Sequence, residues 1–295
     1  MIRLFVLVFV SIFASVAAAA PPSGSTTWND WSFSWNVGAN FEGLEVSNVT
    51  WKGVKVLHKG SMPVIRVQYA NNACGPYPDR IGLGSMVSTA CQPGDKICLR
   101  EWTGGNPLLE IGAYAKLGGY DIYQAWYFTR SGWLEAAMWS KGWHCNISHR
   151  HHAYWRLDFD IESIANQVWR FHTSGGSTVW QQYNTERDQS VAGLSGVGWW
   201  IQNTSGSRFV QLRPWNTEVP DGFAPHDASV RLYRSDENVG WPWGASSQLL
   251  FNNGEQLWNR DYVFWWMGHL SHNWDGSDPQ GAHWHWVGPA VYMNW

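Results

Sequence analysis

His149 and His151 are separated by one residue, and the same spacing recurs at His283 and His285. Side chains alternate along an extended strand, so each H-x-H pair would present two imidazoles on one face. At about 7 Å between backbone positions they suit two ligands of one transition metal. His269 and His272 offer further imidazoles downstream. A lone H-x-H pair arises often by chance, so its meaning depends on the elements that carry it.

Those elements read as strands. No long amphipathic segment of helical period stands out, and short alternating runs bounded by Gly, Pro, Asn and Asp recur throughout. From His149 to Glu162 the odd positions are His149, His151, Ala153, Trp155, Leu157, Phe159 and Ile161. The even positions are polar apart from Tyr154, so one face is apolar and the other polar, and the first two histidines point inward. From Asp261 to His272 a second row carries Tyr262, Phe264, Trp266, Leu270 and His272, also ending in a histidine. A run from about Gly119 to Phe128 reverses at Arg130-Ser-Gly132 into Trp133–Trp139, which predicts a hairpin. The expected fold is all-β, a large antiparallel sandwich.

Composition bounds the setting. Arg3, the apolar run Leu4 to Val10 and the small residues Ala17 to Ala20 have the order of a secretory signal peptide over 1–20. No later stretch reaches the length of a membrane span, so the expectation is a secreted, extracellular protein without a membrane anchor. Pro21 to about Thr27 is small and polar and reads as a disordered leader. Export permits disulfides, and Cys91 and Cys98 flank a turn-forming loop that favours a bridge between them, although the four cysteines, with Cys74 and Cys145, allow three connectivities. Glycosylation sequons stand at Asn48, Asn146 and Asn203. A net charge of −3 without a Lys/Arg block argues against a nucleic-acid partner. The 24 tryptophans are scattered and many alternate with polar residues, as at Trp284 and Trp286, which favours strand packing over a sugar-binding platform.

The run His149-Arg-His-His-Ala-Tyr-Trp-Arg-Leu-Asp-Phe-Asp160 resembles the H-x-H followed by R-L-D-x-D of the copper amine oxidase family. Asp261-Tyr-Val-Phe-Trp-Trp-Met-Gly-His-Leu-Ser-His272 is similar to the family's strand that ends in a third ligand. The resemblance therefore implies copper at His149, His151 and His272, with His269, His283 and His285 as competitors for the third position. Leu117-Gly-Gly-Tyr-Asp-Ile-Tyr-Gln-Ala-Trp-Tyr-Phe128 resembles the stretch carrying the family's topaquinone precursor, and it implies that Tyr120 is that precursor. Gly119 departs from the pattern, standing where the family has Asn.

By the same resemblance, Lys59-Gly-Ser-Met-Pro-Val-Ile-Arg-Val-Gln-Tyr69 leads to a tyrosine that hydrogen-bonds the quinone, and Pro78-Asp79-Arg80 supplies the catalytic base, with Asp95 as the fallback. Asp158, the backbone of Phe159, Asp160 and Asp261 match a peripheral calcium-type site, and a solvated polar face accounts equally for the first two. The likeness covers 43–295 as a catalytic-domain-like unit, with 21–42 as leader and first strand. The implied activity is oxidation of a primary amine by O2 to aldehyde, ammonia and hydrogen peroxide. A homodimer is carried over from the family, although the segments that would clasp a second subunit are compressed. Two rivals stand beside it: a noncatalytic copper-binding protein on the same scaffold, and a secreted tryptophan-rich carbohydrate-binding β-sandwich.

Overall fold

The computed structural model describes residues 14–37, 42–85, 97–234, 252–273 and 281–295, with 14–20 traced by backbone alone. Its strands are, in chain order, β1 (Ala14–Ala20), β2 (Ser23–Trp28), β3 (Trp31–Asn36), β4 (Glu45–Trp51), β5 (Val54–Tyr69), β6 (Tyr77–Asp79), β7 (Ile97–Thr103), β8 (Leu108–Leu117), β9 (Tyr120–Thr129) and β10 (Trp133–Gly142). They continue with β11 (His149–Phe159), β12 (Asn166–Ser174), β13 (Ser177–Tyr183), β14 (Arg187–Gln189), β15 (Ser195–Asn203), β16 (Phe209–Asn216), β17 (Ala228–Leu232), β18 (Tyr262–His272) and β19 (His285–Met293).

Ten strands form one sheet in the order β1-β7-β8-β9-β10-β19-β16-β15-β12-β13. The other sheet has nine, in the order β14-β17-β18-β11-β5-β4-β3-β2 with β6 also on β5. All strand pairs are antiparallel. The expected all-β sandwich is thus observed, as is the hairpin, with β9 and β10 reversing through 130–132.

Alternation explains why the sheets stack. On β3 every second residue is buried, and the buried set joins one continuous core with the inward positions of the opposite sheet. Aromatic pairs bridge the sheets: Phe33 stacks on Phe128 at 4.0 Å, Trp155 meets Trp126 edge-on at 5.2 Å, and Trp199 meets Phe264 at 5.3 Å. Side-chain hydrogen bonds add direction, since Gln124 bonds both the N–H and the C=O of Leu44, and Trp126 Nε1 donates to the same carbonyl.

The polar face of β11 is not solvated. His152, Arg156, Asp158 and Asp160 are all buried, as is the odd face. The cause is tertiary: residues 217–227 run beside β18, with Glu218 N–H donating to His269 C=O and Met267 N–H to Asp227 C=O, and bring Asp221 and Phe223 to His152, while Arg156 lies against Tyr233 and Asp158 and Asp160 meet Asp261. Under this cover Val64, Tyr154, Val263, Trp265 and Met267 make a second small core, and the Arg66 guanidinium lies 3.8 Å over the Phe223 ring while donating to the Phe223 carbonyl.

Two other expectations change. The polar segment after Pro21 is ordered as β2, an edge strand paired with β3, rather than a disordered leader. Asn203 is buried and bonded to Glu162 and Ser207, so only Asn48 and Asn146 are exposed sequons. Ala14–Ala20, within the expected signal peptide, pairs with β7 at the edge of the ten-stranded sheet. Cys74 and Cys145 form a disulfide and Cys98 is also disulfide-bonded; its expected partner Cys91, like Asp95, lies outside the described residues.

Trp155 is fully buried between the sheets, and its indole N–H has no hydrogen-bond partner among the described residues. Trp155→Ala should lower unfolding free energy by about 3–5 kcal/mol in urea titration. Trp155→Phe, which keeps the ring contact and loses no hydrogen bond, should cost roughly half of that or less.

Candidate metal centre

Three strands of the nine-stranded sheet put functional groups on one rung. Tyr69 of β5 stands opposite His149 of β11, and His149 stands opposite His272 of β18. The rings stack along it, Tyr69 on His149 at 5.0 Å and His149 on His272 at 4.9 Å with planes 5° apart. His151, two residues on and therefore on the same face, completes a triangle with ring centroids 5.1 Å from His149 and 5.0 Å from His272.

A ligand atom from each of the three histidines lies within 4.8 Å of the others, and all three side chains are buried. Supporting bonds fix which nitrogen faces the centre. The His149 Nδ1–H donates to the Ile147 carbonyl at 3.1 Å, because that oxygen can only accept, so Nε2 is the nitrogen available as a ligand. His151 Nδ1 is bonded to the buried Ser140 hydroxyl at 3.2 Å, while its Nε2 is buried with no hydrogen-bond partner among the described residues. Burial, then the neighbouring His272 and His149, hold His151 well below the usual histidine range, so it is neutral. A neutral imidazole such as His151 fits a borderline metal such as Cu(II), and the His149/His151/His272 site is compatible with copper.

The competitors separate cleanly. His269 sits on the opposite face of the sheet, opposite His152, with the two Nδ1 atoms 2.9 Å apart. Burial lowers this pair to about 3 for His152 and about 4 for His269, so both are neutral. His283 is exposed and precedes β19, so it does not share a strand face with His285. His285 itself lies 4.8 Å from the His272 ring, a fourth imidazole beside the triad.

Tyr120, first residue of β9, enters from the other sheet. Its buried ring is 4.8 Å from His151 and 5.4 Å from His149, and its hydroxyl is 2.5 Å from that of Tyr69. The His144 backbone N–H also donates to the Tyr120 oxygen. Burial raises both phenols, Tyr69 to about 12 and Tyr120 further. Gly119 is demanded by this approach, since a Cβ there would overlap the Trp143 carbonyl oxygen.

Asp79 ends β6 and stands opposite Ile65 of β5, four residues before Tyr69. It is close enough to raise both phenols, and burial lifts its carboxyl to about 6 against a smaller opposing effect of His144. The His144 ring meets Tyr69 at 6.0 Å and Tyr77 at 5.8 Å, and the Cys74–Cys145 bridge holds the adjacent residue. His144 was missed by sequence reasoning, since nothing local signalled it, whereas the second H-x-H spacing had already named His285 as a competitor for the third ligand position.

Asp158, Asp160 and Asp261 are also gathered, with carboxylate oxygens within 4.8 Å of one another. Phe159, between the first two, is fully buried. Lys55 pairs with Asp160 at 2.6 Å and Arg156 with Asp158 at 3.5 Å. Burial, then Asp158 and Asp160, still raises Asp261 to about 6.

The fold is that of solved copper amine oxidases. A copper-containing benzylamine oxidase from Hansenula polymorpha superposes with a TM-score of 0.75 over 93% of this chain at 12% identity. An amine oxidase from Aspergillus nidulans gives 0.70 over 91% at 15%, and a lysyl oxidase from Pichia pastoris 0.69 over 92% at 14%. This chain spans 61% of the first structure and 51% of each of the others. No family model and no curated protein matches the sequence.

Cu(II) added to chelator-treated protein should bind at one imidazole site, read by calorimetry and electron paramagnetic resonance. Ser140→Ala should weaken binding by roughly 10- to 100-fold, the usual cost of losing a supporting hydrogen bond, and His151→Ala by more than that. His269→Ala, on the other face, should leave the affinity unchanged.

Proposed function

We propose that this chain is an exported, copper-dependent primary-amine oxidase whose quinone cofactor is made from Tyr120. The observation that carries this reading is a buried phenol packed 4.8 Å from His151, one of three converging buried imidazoles. The amine oxidase fold supports it.

His149, His151 and His272 would hold the copper, which supplies a redox-active cation beside the phenol. A topaquinone derived from Tyr120 would supply an electrophilic carbonyl and an electron sink for the amine. The remaining steps belong to the protein. The Tyr69 hydroxyl and the His144 N–H fix the Tyr120 oxygen, so the ring is oriented before substrate arrives. Asp79, lifted toward neutrality by burial, takes the proton from the amine-bearing carbon and so acts as general base. Tyr120 is buried among the three imidazoles, which keeps bulk water from its ring. The balanced reaction consumes amine, O2 and water and releases aldehyde, ammonia and hydrogen peroxide.

Asp158, the Phe159 carbonyl, Asp160 and Asp261 would hold a peripheral hard cation such as calcium. The residual repulsion among these carboxylates, two of them buried and that of Asp261 half-buried, supports this, since Lys55 and Arg156 offset only part of it.

The test of the cofactor is a peptide mass. After aerobic copper loading, the peptide containing Tyr120 should carry the oxidised ring and stain for quinone. An unmodified Tyr120 in copper-loaded protein would establish the noncatalytic copper-binding reading instead.

The test of the base is pH dependence. A general base must be ionised, so kcat/KM for benzylamine, followed by peroxide release, should rise with pH through about 6. Asp79→Asn should remove that limb and lower kcat/KM by about 10²- to 10⁴-fold. Stability moves the other way. The folded carboxyl keeps its proton up to about 6, against 3.8 for the unfolded one. Stability from this group therefore declines as pH rises through that window, and Asp79→Asn should make the decline shallower by this group's share, the rest coming from other raised carboxyls such as Asp261, without lowering Tm.

A further inference from the structure

The outer face of the ten-stranded sheet carries an aromatic cavity that the imidazole centre does not use. On β9 the residues Tyr120, Ile122, Trp126 and Phe128 point into the sandwich, so Tyr123 and Tyr127 point out. The same alternation turns Glu110 of β8 and Trp102 of β7 outward, and together they line a cavity of about 400 Å³. Glu110 is only 4% exposed at its base. Its carboxylate accepts the Trp102 indole N–H at 2.7 Å and the Tyr123 hydroxyl.

The walls are ordered by ring contacts. Tyr114 stacks on Tyr123 at 4.3 Å and meets Trp284 edge-on at 6.4 Å. Trp139 donates its indole N–H to the Tyr127 hydroxyl at 3.3 Å. Beyond the cavity the rings continue, Trp139 on Trp286 at 5.5 Å and Trp286 on Trp215 at 4.4 Å. Trp215 and Trp284 are each 40% exposed.

The polar groups choose the ligand. Arg100 is directly opposite Glu110 in the β7–β8 register, and its guanidinium lies 5.0 Å from the Trp102 ring centroid. A cation entering the cavity meets Arg100, and an anion meets Glu110. A hydroxylated neutral ring can donate to the carboxylate, accept from the guanidinium and lay its C–H face on an aromatic ring. The line of rings from Trp139 to Trp215 offers the next sugar units the same surface.

We propose that this face binds a neutral oligosaccharide, with Glu110 and Arg100 reading hydroxyls and the Trp and Tyr rings stacking on the sugars. The site stands on the opposite side of the sheet from Tyr120 and is independent of metal and of amine oxidation.

Calorimetry of the full chain in EDTA against cellohexaose, xylohexaose, mannohexaose and chitohexaose tests it. At least one hexasaccharide should bind. Glu110→Gln, which preserves shape, and Trp284→Ala, at an exposed position, should each weaken that binding at least about 10-fold. Trp258→Ala, exposed elsewhere, should not change it. The proposal is overturned if none of the four binds at millimolar concentration, or if binding survives both cavity variants. It is equally overturned if benzyltrimethylammonium or L-phenylalanine occupies the cavity and the hexasaccharides do not.

Discussion

The centre depends on one register. Tyr69, His149 and His272 occupy a single rung across β5, β11 and β18, and the side-chain period of a strand is two. Slipping either pairing by one residue would turn His149 and His151 away from Tyr120 and bring Arg150 and His152 inward. Such a slip would also drive Arg156 and Asp158 into the core between the sheets, where Trp155 and Leu157 now pack. Hydrophobic burial along the rest of the strands therefore enforces ring positions at one end of them. The interruption of the β5–β11 ladder between Tyr154 and Arg156 sits well away from this rung, and pairing is continuous from Ile65 to Tyr69.

The same sheet is loaded on both faces. Imidazoles converge on the inside, and on the outside His152, His269 and Arg66 are buried against 217–227, while Arg156 is buried beside Asp158 and the Tyr233 ring. Buried polar groups are costly without partners. Arg66 has the Phe223 carbonyl and ring, and Arg150 pairs with Glu218 and Asp221. The covering segment thus does for polar side chains what a second sheet does for apolar ones.

Much of this was legible in the sequence because period two is a strong signal. The alternation from His149 to Ile161 gives the inward direction of both histidines, and the row from Tyr262 to His272 gives the strand that brings the third. The Arg-Ser-Gly turn gives the hairpin that presents Tyr120. What was not legible depends on contacts between distant segments. Alternation made the even face of β11 polar, and its burial comes from distant segments, 217–227 at His152 and Tyr233 with Asp261 at Arg156 and Asp158. Gly119 read as a departure from a pattern, whereas in the fold it admits the Trp143 carbonyl. His144 reaches Tyr69 through a loop whose path is set by a disulfide. The tryptophans read mainly as packing, and Trp126, Trp155 and Trp199 do pack; the cavity lined by Trp102, Trp139 and Trp284 follows from which of them the outward face collects.

The Cys74–Cys145 bridge joins residues 71 apart in sequence. The covalent ring it closes contains Asp79 and the whole β9–β10 hairpin, and its two ends emerge just after Tyr69 and just before His149. In the chain-entropy account, closing a loop of this size removes about 4 kcal/mol of freedom from the unfolded chain. Chain collapse therefore begins with the phenol tethered to the imidazole strand. A reduced polypeptide must find the same encounter by diffusion, so oxidising conditions during synthesis govern how readily the pieces of this centre first meet.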